Sequence, residues 1–168
     1  MSDYSIWLTL EKDSRSKYRK IIMKLSKRLN SIPFDPHCTI YSRLNTDLEK
    51  VIPIINDVAK TRDQFSVKVK RLKTGKSKWK SLYLSIDNNE ELQSLYSLCK
   101  SKIRTSRKFT FDPHLSFAYG LFNAESIHNA TKDIVLPKYI AFSGISIVKT
   151  GDNILTWETV FHRQFGQI

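Results

Sequence analysis

The spacing of apolar residues along the chain switches repeatedly between two periods. Alternation with a period of two predicts seven strands, at residues 4–10, 34–41, 65–72, 79–86, 109–120, 138–149 and 153–165. A period near 3.6 predicts four amphipathic helices, at residues 14–29, 46–58, 89–103 and 124–133. The second of these helices begins with a capping-box spacing, Thr46 with Glu49, and contains Pro53, which predicts a kink or an interruption.

The order of these elements mixes strands and helices, and no linker or low-complexity segment separates the two halves of the chain. We therefore expect an α+β fold in which two interlocked lobes place antiparallel sheets face to face, with the helices on the outside. We expect residues 1–168 to form a single domain, because this length is typical of one.

The composition indicates a globular protein with a substantial core. The sequence is 40% hydrophobic, and no apolar run reaches the roughly 18 residues that a membrane helix needs. The first residues, MSDYSIWLTLEKD, lack the basic and apolar regions of a signal peptide. We expect a protein of the cytoplasm or the nucleus that binds no membrane. Cys38 and Cys99 have no CxxC spacing, which favours two buried free thiols.

Positive charge is concentrated in the middle of the chain. The net charge is +12, and residues 60–110 carry 14 Lys and Arg against 4 Asp and Glu, a balance of +10. Such a block indicates an anionic partner, nucleic acid or phosphate, with a solubilising surface as the alternative.

The tetrapeptide FDPH occurs twice, and in each copy a hydroxyl side chain follows two residues after the histidine. The two pairs are His37 with Thr39 and His114 with Ser116. In a strand, residues two apart project from the same face, so each strand presents an imidazole beside a hydroxyl. The repeat therefore predicts two matching polar half-sites.

Two such half-sites can surround one small cavity if their strands lie side by side. Imidazoles on opposite sides suit in-line displacement at phosphorus, because one takes a proton from water while the other gives a proton to the departing oxygen. The hydroxyls and nearby lysines can hold the non-bridging oxygens. This chemistry requires no metal or other cofactor. The alternatives are two structural histidines and a metal site, which would lack a third ligand.

The motifs HCT and HLS resemble the paired H-x-[ST] motifs of the two-histidine (2H) phosphoesterase superfamily. The stretches YSIWL, FDPHCTI and HLSFAYG are similar to the cyclic phosphodiesterase branch of plants and fungi. This resemblance implies a bilobal, pseudo-two-fold fold around a central cleft. It also implies metal-free opening of nucleoside 2′,3′-cyclic phosphates to 2′-phosphates, and of ADP-ribose 1″,2″-cyclic phosphate, a by-product of tRNA splicing.

Carried onto this sequence, the resemblance makes His37 and His114 the catalytic acid–base pair, and Thr39 and Ser116 the phosphate ligands. For a 2′-phosphate product, His114 is assigned as the base on water and His37 as the acid to the 3′-oxygen. The pseudo-symmetry makes these two roles exchangeable.

Three aromatic residues are candidate substrate ligands. Trp7 matches the N-terminal tryptophan of the family, and it either stacks on a base or packs in the core. Tyr119 follows the second motif as in the family, but alternation with Ser116 points it away from the site unless a bulge intervenes. Tyr83 alternates out of step with its aliphatic neighbours and can line the second sheet of the cleft.

A lysine-rich stretch, KTGKSKWKS, departs from the family pattern. Lys76 and Lys78 within it are candidate ligands for RNA phosphates, and a general lysine bias is the alternative. Outside the motifs, His128 and His162 are expected to be structural. Asp35 and Asp112 are expected to form the turns before the two strands, or else to orient the histidines.

Three functions therefore compete. The first is a monomeric cyclic phosphodiesterase acting on a small cyclic-phosphate nucleotide. The second applies the same chemistry to RNA 3′ ends that carry a terminal 2′,3′-cyclic phosphate. The third is a noncatalytic RNA-binding module of the same fold, which the two intact motifs disfavour.

Overall fold

The computed structural model describes residues 3–104 and 108–167. Within these ranges the strands are β1 (Asp3–Leu10), β2 (His37–Leu44), β3 (Phe65–Thr74), β4 (Leu82–Ile86), β5 (His114–Ala118), β6 (Tyr139–Thr150) and β7 (Glu158–Gln164). The helices are α1 (Lys12–Leu29), α2 (Leu48–Lys60), α3 (Glu90–Lys102) and α4 (Ala124–Thr131). Two short 3₁₀ helices lie at Lys78–Lys80 and Ile154–Thr156. The predicted order of strands and helices is confirmed.

Strands β2 and β5 begin at their histidines rather than at the start of the FDPH repeats. Each histidine follows a proline, Pro36 or Pro113, which has no backbone N–H to donate to a neighbouring strand. The Phe-Asp-Pro segments are therefore the approach to each strand, and the histidine is its first residue.

The two predicted helix starts have different outcomes. Helix α3 begins after Asn89, as predicted, and the Asn89 side chain accepts a hydrogen bond from the backbone N–H of Leu92 at 3.1 Å. The capping box predicted for α2 is wrong, because Asp47 is the residue at the cap and its carboxylate pairs with Lys50 instead. Pro53 lies inside α2 without interrupting it.

The strands form one hydrogen-bonded ring in the order β1-β2-β5-β4-β3-β6, and β6 closes the ring by pairing with β1. Strand β7 pairs with the outer part of β6. The prediction that two interlocked lobes place antiparallel sheets face to face is therefore corrected to a single closed ring of strands. The long strand β6 pairs with β3 through its first residues and with β7 through its later ones, so it belongs to both halves.

The ring has two halves, one formed by β2, β1 and β6 and the other by β5, β4 and β3. The two strand pairings that join these halves differ in length. Strands β3 and β6 pair over four residues, from Phe65 opposite Phe142 to Lys68 opposite Tyr139. Strands β2 and β5 pair only through Cys38 opposite Leu115. Beyond that pair, β2 and β5 diverge, which leaves room for a cavity between them.

The buried apolar side chains form one contiguous cluster, in which the largest fully buried members include Tyr18, Phe117 and Phe142. Helix α1 packs against α4 and β5, whereas α2 packs against α3, β6 and β7. Among the described residues, no helix combines the length and the apolar character needed to cross a membrane.

Candidate active site

The two repeated motifs meet at the short seam between β2 and β5. Because the strands are antiparallel and Cys38 lies opposite Leu115, His37 lies level with Ser116, and Thr39 lies level with His114. All four polar side chains line one cavity of about 380 Å³, which we call the central cavity. Each imidazole is thus placed beside the hydroxyl of the other motif.

Both histidines are held in the same way by their own motifs. The Nδ1 of His37 donates a hydrogen bond to the backbone carbonyl of Asp35 at 2.7 Å, and the Nδ1 of His114 donates to the carbonyl of Asp112 at 2.6 Å. A carbonyl oxygen only accepts, so Nδ1 carries the proton in each ring. In the neutral ring Nε2 is then the basic nitrogen.

Cations anchor the aspartates that hold these carbonyl groups. The Asp35 carboxylate pairs with Arg15 at 2.7 Å and with Arg19 at 3.0 Å. The Asp112 carboxylate pairs with Lys80. The two aspartates therefore contact the histidines through their backbone, while their side chains fix the approach segments in place.

His37 is the more buried of the two histidines. Its exposed fraction is 6%, and the Trp7 ring stacks on it with a centroid distance of 3.6 Å and an angle of 9°. Burial lowers the pKa of His37 from 6.5 to about 4, although its bond to the Asp35 carbonyl acts in the opposite direction. Both the orientation and the protonation state of this ring are thus controlled by packing.

His114 is half-buried, and burial also lowers its pKa below 6.5. The bond to the Asp112 carbonyl opposes this shift, and the positive charge of Lys80 adds to it. Without a ligand, both imidazoles are therefore predominantly neutral near pH 7.

Aromatic rings form much of the remaining wall. Trp7 lines the central cavity together with Trp79, Tyr119 and Trp157. The Trp157 ring lies 5.4 Å from that of Trp7 and 6.0 Å from that of Trp79. Trp79 and Trp157 come from the β3–β4 and β6–β7 connections, so the two halves of the ring each contribute an indole.

The alternation pattern does not identify Trp79 and Trp157 as cavity residues. It predicts strands at both positions, but Trp79 lies in a short 3₁₀ helix and Trp157 follows one. The sequence signal for these two short helices is the residue that caps each of them. Ser77 and Asn153 each accept a hydrogen bond from the backbone N–H two residues later. Arg43, a cation on the cavity wall, was also missed.

Tyr119 lines the central cavity, contrary to simple alternation. Strand β5 ends at Ala118, and Gly120 adopts a φ of 150° that side chains disfavour, so the backbone turns immediately after the strand. Burial raises the pKa of the Tyr119 phenol to about 12, and the neighbouring Ser116 hydroxyl acts in the opposite direction.

Three other candidates do not line the central cavity. Tyr83 lies opposite Ser116 on β4, and its ring meets the edge of His114 at 5.3 Å, so it supports the histidine from the side. Lys76 and Lys78 are exposed and do not line the central cavity, and the Lys78 ammonium lies 4.7 Å from the centre of the Trp79 ring.

In residues 3–104 and 108–167, no group of three or more His, Cys, Asp or Glu side chains is arranged to hold a metal ion. His128 is exposed on α4, and Cys38 and Cys99 are buried free thiols, as predicted. His162 lies outside the central cavity on β7, where its Nδ1 bonds to Ser146 at 2.9 Å.

Solved structures with low sequence identity share this fold. TT0787 of Thermus thermophilus is 12% identical and has a TM-score of 0.68, over 99% of this chain and 98% of that one. LigT of E. coli, solved with 3′-AMP, is 14% identical and has a TM-score of 0.63, over 99% of both chains. Usb1 of Kluyveromyces marxianus is 8% identical, with a TM-score of 0.53 over 94% of this chain and 97% of that one.

Sequence comparison supports the same relationship. The cyclic phosphodiesterase of Arabidopsis thaliana is 24% identical over 166 residues, which span 94% of this chain and 92% of that protein. Residues 1–136 match the family described as cyclic phosphodiesterase-like protein. The family and its relatives support phosphodiester hydrolysis as the general chemistry. The chain therefore belongs to the cyclic phosphodiesterase-like protein family of 2H phosphoesterases.

Proposed function

We propose that this protein hydrolyses 2′,3′-cyclic phosphates without a metal, with His37 and His114 as the acid–base pair. The observation that carries the proposal is the matched placement of two imidazoles, each with Nδ1 bound to a carbonyl, around one cavity. The substrates are nucleoside 2′,3′-cyclic phosphates, opened to 2′-phosphates, and ADP-ribose 1″,2″-cyclic phosphate.

In the proposed reaction, a water oxygen attacks phosphorus and the bond from phosphorus to the 3′-oxygen breaks. One imidazole accepts the proton from water, and the other gives a proton to the 3′-oxygen. The negative charge of the bound phosphate raises the pKa of both rings, so one ring becomes protonated on binding. His37 is held neutral more strongly and serves as the base, while half-buried His114 serves as the acid. This assignment exchanges the roles inferred from the sequence.

Thr39 and Ser116 hold the non-bridging oxygens in this scheme. Their hydroxyls lie on the cavity wall at the level of the two imidazoles. The Tyr119 phenol is a neighbour of the Ser116 hydroxyl, and both residues line the cavity. Such preorganised donors stabilise the charge that builds on the phosphate in the transition state.

The indoles of Trp7, Trp79 and Trp157 form the binding site for the base. Stacking of a base on an aromatic side chain contributes about 1–3 kcal/mol and depends little on base identity. A cavity of about 380 Å³ is the size of a small-ligand site. The related LigT was solved with phosphate and with 3′-AMP, which favours a small nucleotide as the occupant.

RNA 3′ ends are the second candidate substrate. The observation that favours them is the basic β3–β4 connection, where Lys76 and Lys78 are exposed and form no ion pair within the described part of the chain. The Lys78 carbonyl accepts a hydrogen bond from Gly120 at 2.9 Å, which holds this connection beside the cavity. Phosphates upstream of a terminal cyclic phosphate would lie against these lysines.

The test is a substrate panel with EDTA present throughout. The panel contains the four nucleoside 2′,3′-cyclic phosphates, ADP-ribose 1″,2″-cyclic phosphate and an RNA with a terminal cyclic phosphate, and phosphorus NMR identifies the products. We expect turnover of the small substrates to 2′-phosphates. His37→Gln and His114→Gln should each lower kcat by about 10²–10⁴-fold, whereas His128→Gln should not.

Several outcomes would contradict the proposal. Absence of turnover would leave only the noncatalytic RNA-binding role, and loss of activity in EDTA would refute the metal-free mechanism. A kcat/KM much higher for the RNA, with a steep decrease as salt increases, would make RNA ends the substrate.

A further inference from the structure

A second cavity, of about 270 Å³, adjoins the central cavity at Trp7 and His37, which line both. We call it the side cavity. Its other walls carry polar groups from α1 and β7, among them Arg15, Thr159, His162 and Gln164. No step of the proposed hydrolysis uses these groups.

The sheet beneath the side cavity is shaped by a glycine. Gly144 of β6 lies between Thr9 of β1 and Gln164 of β7. A Cβ at this position would come within 2.8 Å of Thr9 Oγ1 and 3.0 Å of His162 Cε1. Only glycine therefore lets the His162 ring lie close over the sheet, where it forms part of the cavity wall.

The side cavity has a positive charge that is not fully neutralised. Arg15 and Arg19 share the single carboxylate of Asp35. Of these two arginines, only Arg15 lines the cavity. The Asp35 carboxylate lines the cavity beside Arg15, so the net charge of about +1 belongs to the cluster of three side chains and depends on Arg19 behind the wall.

His162 adds a directed donor to this charge. The Ser146 hydroxyl and His162 Nδ1 are 2.9 Å apart, so when the hydroxyl donates to Nδ1 the proton of the ring lies on Nε2. Burial and the positive charge of Arg15 both lower the pKa of His162. A guanidinium, an imidazole N–H, a hydroxyl and an amide together match the oxygens of a phosphate group.

We propose that the side cavity binds a second phosphate group of a substrate whose cyclic phosphate lies in the central cavity. This rests on the cyclic phosphodiesterase function proposed above. The two cavities lie on either side of the stacked Trp7 and His37 rings, so a molecule that reaches past this stack would occupy both. The expected class is a nucleotide with a 2′,3′-cyclic phosphate and a further phosphate or diphosphate at its 5′ position.

The kinetic test compares two substrates that differ only in this group. Adenosine 2′,3′-cyclic phosphate and its 5′-phosphorylated form are assayed with the wild type, Arg15→Gln and Arg19→Gln. Both variants remove one cation from Asp35, which itself lines the side cavity, but only Arg15→Gln also removes a donor from the cavity wall. We expect Arg15→Gln to raise the KM of the 5′-phosphorylated substrate by about 5-fold relative to the plain one, and Arg19→Gln to raise it by a clearly smaller factor.

A binding test keeps this proposal separate from the catalytic one. Inorganic phosphate is added to the wild type and to Arg15→Gln while the His162 ring is observed by NMR. We expect its resonances to move in the wild type and to move much less in the variant.

If they do not move in the wild type, or if the two arginine variants behave alike in the kinetic test, the side cavity is not a phosphate site. If free phosphate moves them but the 5′-phosphate does not lower KM, the site binds free phosphate and the substrate assignment is refuted. Absence of turnover of either substrate would instead refute the proposed function.

Discussion

Removal of the Trp7 indole should raise the pKa of His37. The indole covers one face of the imidazole at a centroid distance of 3.6 Å, and the pKa of about 4 results mainly from burial. Trp7→Ala admits water to that face, and water stabilises the charged imidazolium. We therefore expect His37 in the variant to titrate at least about 1 pH unit higher, towards the 6.5 of a solvated ring.

The same change has a predictable effect on stability. Between pH 6.5 and 4 the unfolded chain binds a proton at His37 that the folded protein does not bind, so the free energy of unfolding decreases as the pH falls. For the wild type, His37 should account for a loss of about 2 kcal/mol between pH 7 and pH 5. A pKa raised by about one unit reduces this loss by about one fifth. The variant also loses packing at every pH, at a cost of about 3–5 kcal/mol, so only the pH-dependent difference is compared.

The assay follows the imidazole resonances of the four histidines by NMR from pH 7.5 to pH 4, together with urea unfolding at pH 7 and pH 5. Trp7→Phe is the matched control, because a smaller ring still covers the imidazole and the pKa of His37 should stay low. If the wild-type His37 titrates near 6.5, or if Trp7→Ala leaves its titration unchanged, the assignment of the low pKa to this stack is refuted.

Two further predictions concern the other walls of the central cavity. Lys80→Met removes the cation that pairs with Asp112, so the pKa of His114 should rise and the alkaline limb of the kcat/KM profile should move to higher pH. Lys78→Met, which changes a lysine that contacts the Trp79 ring instead, should leave the profile unchanged, and equal profiles for both variants would contradict the role of Lys80. Trp157→Ala should raise the KM for nucleoside 2′,3′-cyclic phosphates by about 10-fold with little change in kcat, because base stacking is lost. Trp157→Phe should restore most of the affinity, and an unchanged KM in Trp157→Ala would exclude a stacking role.

The strands that carry the histidines could be predicted from local sequence alone. A period of two places His37 with Thr39, and His114 with Ser116, on one face whatever the rest of the fold does. The helix start at Asn89 was also predictable, because the cap depends on contacts within one turn. The meeting of both motifs at one cavity agrees with this local reasoning, while the chemical roles of the four side chains remain proposals.

The features that the sequence did not reveal depend on contacts between distant segments or on short turns. Nothing near Cys38 indicates that it pairs with Leu115, and this single pair closes into a ring the strands that β3 and β6 already join into one sheet. The alternating pattern around Trp79 and Trp157 predicts strands, but each segment contains a one-turn 3₁₀ helix instead. Tyr119 does not follow the alternation of β5, because that strand ends at Ala118.

The uneven seams of the ring give the protein an uneven stiffness. A seam of four residue pairs between β3 and β6 resists separation, whereas the Cys38–Leu115 seam is a single point about which β2 and β5 can pivot. His37 and Thr39 lie on opposite sides of this point, and so do Ser116 and His114, so a pivot would separate one imidazole–hydroxyl pair while it brought the other closer together. Strain from a bulky substrate would therefore be absorbed as a tilt of the cavity, which becomes wider at one imidazole and narrower at the other.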